Sequence, residues 1–158
     1  SFWCKAKETA TEGKKQVLYE EGSSRRGLNM YLEQDNLLIG AWNTAGGSSG
    51  DDGTWLSTDG ISSNQWHHVA LVLEGDRQTD QSALRGYLDG EEFDAGKVSQ
   101  LWRRAGGIGI GGVNGSTRFQ DGLTANSSHG LAGTVDDLKV FNDTLNTDNI
   151  QTLANING

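Results

Sequence analysis

The sequence predicts an all-β protein, a jelly-roll β-sandwich of two antiparallel sheets with a short C-terminal helical turn. Three observations predict it. Short apolar runs alternate with turn residues along almost the whole chain. The 158 residues include 23 glycines and no proline, and glycine inside a helix costs roughly 1 kcal/mol per residue, whereas turns use it readily. Only one segment, near the C-terminus, has helical spacing, so the helices that a parallel sheet needs between its strands are missing.

The elements follow in chain order. Gln16–Glu20, Leu28–Leu32 and Leu37–Trp42 read as strands, separated by Gly22-Ser23-Ser24 and Gln34-Asp35-Asn36. Trp66–Leu73 (WHHVALVL) is β-branched and apolar on both parities, so it is expected to be covered on both faces. Leu84–Leu88 and Glu91–Ala95 flank Asp89-Gly90, a two-residue hairpin turn that requires positive φ. Leu131–Phe141 supplies a late strand. Around Thr147–Leu153 the spacing of Ile150 and Leu153 predicts a helical turn, with Thr144 or Asn146 as its cap.

Residues 106–112 read GGIGIGG and fit the letters of a dinucleotide-binding fingerprint. That fingerprint must leave a strand and enter a helix whose N-terminus holds the pyrophosphate. Here Val113-Asn114-Gly115-Ser116-Thr117 begins a loop instead. The string is therefore expected to be a strand itself, with Ile108 and Ile110 forming an apolar face. The opposite, bare face carries Gly109 and Gly111 and permits a close neighbour.

The chain length suits one domain, 1–158, and its opening on Ser-Phe-Trp-Cys, in mid-pattern, suggests a piece cut from something longer. A net charge of −8 opposes nucleic-acid binding, which needs a basic face. The single cysteine, Cys4, excludes an internal disulfide framework and reads as a buried thiol. No stretch approaches the ~20 apolar residues of a membrane span.

Three polar segments read as longer loops: Asn43–Thr54, Gly75–Ala83 and Asn114–Gly130. Asp51 and Asp52 in the first and Asp121 in the third are candidate calcium and ligand contacts if those loops meet at one rim, with Asn114 at the start of the third. Trp3 and Trp66 are expected in the core. Trp42, Trp55 and Trp102 stand at strand ends beside polar loops, where an aromatic face either stacks on a sugar or packs beneath a loop. His67 and His68 are adjacent, face opposite sides of a strand and cannot chelate together; His129 stands alone in a loop.

WHHVALVLEGD, GYLDGEEFDAG, GGIGIGG and GLAGTVDDLKVFNDTLNTDNIQTLA occur in the order of the hallmark segments of bacterial laminin-G-like domains, and SFWCKA is similar to that family's early strand. The chain thus resembles the laminin-G-like members of the concanavalin-A-like lectin and glucanase group over nearly its whole length. The resemblance implies a jelly-roll sandwich in a secreted or cell-surface protein. It also implies a further strand ahead of the SFW segment, so this piece is expected either to lack that strand or to fill its place with another segment. A structural calcium is implied near the closing strand, with Asp136 as ligand and Glu20 or Glu21 contributing oxygens. The calcium-binding aspartate of animal laminin-G domains has no counterpart, since Arg26 and Gly27 stand there. The acidic cluster of the related glucanases is matched only by Glu33-Gln34-Asp35, which reads better as a hairpin turn than as two carboxyl groups set for hydrolysis.

The expected function is accordingly a non-catalytic binding or adhesion module, supported by calcium, that recognises a carbohydrate or extracellular partner through rim loops. The alternatives are a glycoside hydrolase or lyase of the same group, and a ligand-free spacer in a large adhesin.

Overall fold

The computed structural model describes residues 1–8, 12–44, 53–74, 83–98 and 106–155. The strands are β1 (Phe2–Ala6), β2 (Gln16–Gly22), β3 (Arg26–Glu33), β4 (Asn36–Asn43), β5 (Thr54–Thr58), β6 (His67–Leu73), β7 (Leu84–Leu88), β8 (Glu91–Gly96), β9 (Ile108–Ile110), β10 (Thr117–Arg118), β11 (Thr124–Ala125) and β12 (Gly133–Asp136), followed by helix α1 (Thr147–Asn155). Two five-stranded antiparallel sheets form, in the orders β12-β1-β6-β7-β8 and β5-β4-β3-β2-β9, with β10-β11 as a separate ribbon. This is the sandwich read from the sequence.

Alternation builds the main core. Phe2, Cys4 and Ala6 of β1 face inward, and Leu28, Met30 and Leu32 of β3 meet them from the second sheet. Burial pushes the Cys4 thiol up to about 12, with Asp89 adding to the effect. In β2 the register slips between Val17 and Tyr19. This bulge lets both Leu18 and Tyr19 enter the core while returning Glu20 to the same face as Val17.

Strand β6 is covered on both faces. Val69, Leu71 and Leu73 meet the main core, while Ala70 and Val72 pack with Tyr87 under Ile150, Leu145 and Leu153 of the helical end. Asn146 caps α1, its Oδ1 accepting the Asn149 N–H at 2.9 Å. The Asp89-Gly90 turn has the positive φ values the sequence requires, 51° and 88°. Asp89 also receives the His68 N–H at 2.8 Å, and its Oδ2 lies 2.8 Å from His67 Nδ1. His67 Nε2 accepts the Ser62 N–H at 3.1 Å, so Nδ1 carries the proton and donates to Asp89. This histidine ties a hairpin to a loop.

Two expectations need correction, on the tryptophans and on the late strand, and one is refined, on β9. Trp66 is 43% exposed and not core, because it precedes β6 and its ring lies beneath the Lys5 ammonium at the surface; Trp3 is half-buried against His68. Ile108 and Ile110 are more than half exposed, while Gly109 between them is buried. β9 is an edge strand pairing only with β2 among the described residues, and the close packing is on its glycine face, as the bare face predicts. The late strand stops at Asp136 rather than running to Phe141. Asp137 adopts φ 52°, and Val140 and Phe141 beyond it are exposed.

Candidate functional site

The face of the second sheet that points away from the core is not open. Residues 113–130, expected as a loop, cross it as a cover that includes the β10-β11 ribbon. Val17, Tyr31 and Leu38 on the sheet pack against Phe119 and Ala125 of the cover, with Val113 and Trp55 at the margin. Phe119 meets the Tyr31 ring edge-on at 5.0 Å and His129 at 5.0 Å. Outside the two sheets the molecule thus carries a helix on one side and this cover on the other.

Polar contacts fasten the cover along its length. At one end Lys15 Nζ, almost buried, bonds Asp121 Oδ2 at 2.9 Å and Glu33 Oε1 at 3.0 Å, and Tyr31 Oη accepts the Gln120 N–H at 3.2 Å. Burial alone would lower the Lys15 pKa, but the two carboxylates hold it above its ordinary value. Partial burial would likewise raise that of Asp121, yet the Lys15 ammonium holds it below the usual carboxylate range. In the middle, Asn29 Nδ2 donates to Thr117 Oγ1 at 3.0 Å and to the Arg118 carbonyl at 2.8 Å. At the other end Glu20 Oε1 accepts the Asn114 N–H at 2.8 Å.

One row crosses this face. In register are Trp55 of β5, Gly40 of β4, Asn29 of β3, Glu20 of β2 and Gly109 of β9. A Cβ on Gly109 would lie 3.0 Å from the Asn114 nitrogen and closer still to the Gly112 carbonyl oxygen, so glycine is what lets the cover descend here. Glu20 and Asn29 are fully buried, and burial pushes the Glu20 carboxyl above its ordinary pKa despite the bond from Asn114.

The candidate residues read from the sequence are dispersed. Glu20 lies beneath the cover. Glu21, next to it, faces the other way and accepts a bond from Tyr19 Oη at 2.8 Å. It borders a cavity of about 260 Å³ between the sheets, lined also by Leu28, Leu73 and Leu138. Asp136 is exposed on the first sheet, opposite Trp3, and its Oδ1 accepts the Asp137 N–H at 2.8 Å. Asp136 and Glu20 therefore sit on opposite outer faces of the sandwich, and the calcium site expected from the two does not assemble. Asp136 does not share a buried apolar stripe with Val140, which is 78% exposed.

Asp121 and Asn114 stand at opposite ends of the cover, and Asp51, Asp52 and Trp102 lie outside the described residues. Trp42 is buried, donates from Nε1 to the Ser23 carbonyl at 2.9 Å and stacks on half-buried Trp55 at 6.2 Å with their planes 5° apart. Gln34 and Asp35 have φ 50° and 64° and form a hairpin turn, and Glu33 is engaged by Lys15, so no hydrolytic pair exists there. Among the described residues, no group of three or more His, Cys, Asp or Glu is placed to hold a metal.

Sequence reading missed Asn29, Thr117, Lys15 and Phe119. Asn29, the polar residue within Leu28–Leu32, was the available signal: a carboxamide in an apolar strand must find partners.

At the end of the sheet near Asn114 three segments interlock. Ser24 N–H donates to Ser116 Oγ at 3.0 Å, Thr44 N–H to the Arg25 carbonyl at 2.8 Å, and Arg26 Nε to Asn43 Oδ1 at 3.1 Å. The rim there is built from the Gly22–Arg26 turn, the start of the Asn43–Thr54 segment and residues 114–116.

Comparison with solved structures gives the same architecture. An HCR/D mutant matches with a TM-score of 0.63 at 12% identity, over 97% of this chain and 35% of the other. The receptor-binding domain of botulinum neurotoxin mosaic serotype C/D matches with a TM-score of 0.58 at 12% identity, over 97% of this chain and 34% of that one. The chain spans about a third of each, and at this identity the likeness is one of fold. No curated protein matches the chain in sequence. The family model for laminin-G-like domains of the concanavalin A-like lectin/glucanases superfamily matches residues 1–151, and the chain belongs to that family.

Proposed function

We propose that this domain is a non-catalytic binding module of a secreted or cell-surface protein, taking a carbohydrate or an extracellular protein at its rim, with calcium supporting the fold. The observation that carries this reading is the covered face. Glycoside hydrolysis needs two carboxyl groups about 5–10 Å apart around a bound sugar. On this face Glu20 is buried and bonded to the backbone of Asn114, and the other two carboxylates, Glu33 and Asp121, are both held by the Lys15 ammonium at the end of the cover, so each is engaged within the fold. The fold is shared with a toxin receptor-binding domain, which agrees with a binding role. No helix among the described residues is long and apolar enough to cross a membrane.

The rim built by the Gly22–Arg26 turn and residues 114–116 is the surface we assign to the partner. Arg25 is exposed at its tip, Asn114 lies at its inner edge, and Thr44 is fastened to the Arg25 carbonyl. Trp55 backs this region through Trp42.

The test is to incubate the protein with a panel of polysaccharides and to probe immobilised glycans and extracellular proteins in parallel. Retention on one class without release of reducing ends is expected. Release of reducing ends that disappears in Glu20→Gln would make the protein a hydrolase.

A further inference from the structure

Residues 114–117 fasten one end of the cover at closely spaced points. The Asn114 N–H donates to Glu20 Oε1 at 2.8 Å, Ser116 Oγ accepts the Ser24 N–H at 3.0 Å, and Thr117 Oγ1 accepts from Asn29 Nδ2 at 3.0 Å. The Asn114 side chain adds a further bond, its Nδ2 donating to the Ile108 carbonyl at 3.1 Å. That carboxamide ties the cover to edge strand β9. The residue after it has to be glycine, because Gly115 adopts φ 120°, a conformation that other residues rarely reach. The clamp therefore places glycine directly behind the asparagine it depends on, and asparagine is a thermolabile residue. With no Cβ at Gly115, its amide nitrogen can approach Asn114 Cγ. Among the described residues the Gly115 N–H donates to no group, and both residues are exposed, so the nitrogen is available and water has access.

We propose that Asn114 is a site of spontaneous deamidation, and that its conversion releases this end of the cover. The Gly115 nitrogen gives up its proton and attacks Asn114 Cγ. The new C–N bond closes a succinimide, the Cγ–Nδ2 bond breaks, and ammonia leaves with the proton. Water then opens the ring. Addition at Cγ leaves aspartate; addition at the backbone carbonyl carbon of residue 114 leaves isoaspartate, with the chain running through Cβ and Cγ. One water is consumed for each ammonia released, and the step needs no oxidant, metal or enzyme.

Either product breaks the clamp. Aspartate has no N–H to give, so an oxygen takes the place of the donor that faces the Ile108 carbonyl, and two acceptors oppose each other. The new negative charge also stands beside Glu20, whose carboxyl burial already disfavours as an anion. Isoaspartate inserts one more backbone carbon between the Asn114 N–H and Ser116. The bonds to Glu20, Ser24 and Asn29 then no longer fit one spacing. Residues 114–116 also form part of the rim assigned to the partner, so conversion lowers partner affinity. That last consequence rests on the proposed function; the conversion and the release of the cover do not.

The experiment ages the whole protein in warm, mildly alkaline buffer and follows Asn114 by peptide mapping with mass spectrometry and by enzymatic labelling of isoaspartate. Asn114 is expected to convert ahead of Asn36, Asn64 and Asn126, none of which precedes glycine. In the converted fraction, amide hydrogen exchange should quicken in residues 113–118 and stay unchanged in β3. Asn114→Asp shows that faster exchange before any ageing, whereas Asn114→Gln, whose ring closure is slower, loses the conversion over the same period. An Asn114 that stays intact in the folded protein but converts in the urea-unfolded chain overturns the site. Conversion with unaltered exchange at 113–118, in the aged protein and in Asn114→Asp alike, overturns the release of the cover. Faster exchange at 113–118 with undiminished partner binding upholds the deamidation site and overturns the rim assignment instead.

Discussion

Lys15 Nζ lies 2.9 Å from Asp121 Oδ2 and ties the first residues ahead of β2 to the far end of the segment that covers the second sheet. The ammonium is nearly buried and also holds Glu33. Removing it leaves two carboxylates facing each other across a half-dry space. Lys15→Met is expected to destabilise the fold by about 3 kcal/mol, in the range for breaking a buried pair. Asp121, more exposed, is expected to cost under about 1 kcal/mol as Asp121→Asn. Denaturant midpoints at neutral pH measure both. The lowered Asp121 pKa adds a sign: its contribution is full above the unfolded value, near about 3.9, and is lost as pH falls through the lower folded value. Asp121→Asn should therefore flatten the acid limb of the stability profile.

Phe119 anchors the cover hydrophobically, completely buried between Tyr31 and His129. Phe119→Ala is expected to cost about 3 kcal/mol. It should also speed amide hydrogen exchange in residues 117–125 more than in β3. Uniform acceleration across both sheets would show that the cover has no independent stability.

Gly109 and Gly112 provide a matched pair. A side chain at Gly109 meets the cover's backbone, whereas one at Gly112 has nothing nearer than 3.7 Å. Gly109→Ala is expected to lose about 2 kcal/mol through overpacking, and Gly112→Ala to remain within about 0.5 kcal/mol. Paired thermal melts decide it.

His68 is held neutral. Burial, reinforced by the Ser1 ammonium, lowers its pKa to about 4. A lowered folded pKa gives stability that is full above the unfolded value, about 6.5, and declines as pH falls toward about 4. Unfolding midpoints should drop across that window and drop less in His68→Gln. No change of slope in that variant would remove the histidine from the acid response.

Much of the fold was legible in the sequence because the residues that make it act locally. Asp89-Gly90 specifies its turn by φ alone, Asn146 caps its helix, and the two-sided apolar run at Val69–Val72 demands layers on both faces. The site was less legible because it depends on what crosses over the sheet. Nothing local in Asn114–Gly130 says that Phe119 inserts against Tyr31, so a cover read as a loop. Ile108 and Ile110 show the limit of such a reading: alternation puts them on one face and Gly109 on the closely approached one, but does not tell that the apolar face stays exposed. Asp136 and Glu20 were placed together by resemblance, and only the register puts them on opposite sides.

The central claim is that the rim, and not the covered face, meets the partner. Hydrogen exchange of the protein with and without a ligand retained in the binding screen tests it most directly. The account predicts protection confined to residues 22–26 and 114–116, with affinity reduced at least tenfold in Arg25→Ala and unchanged in Tyr31→Phe. Protection of Tyr31 and Leu38 beneath the cover, with loss of binding in Tyr31→Phe and none in Arg25→Ala, would contradict it.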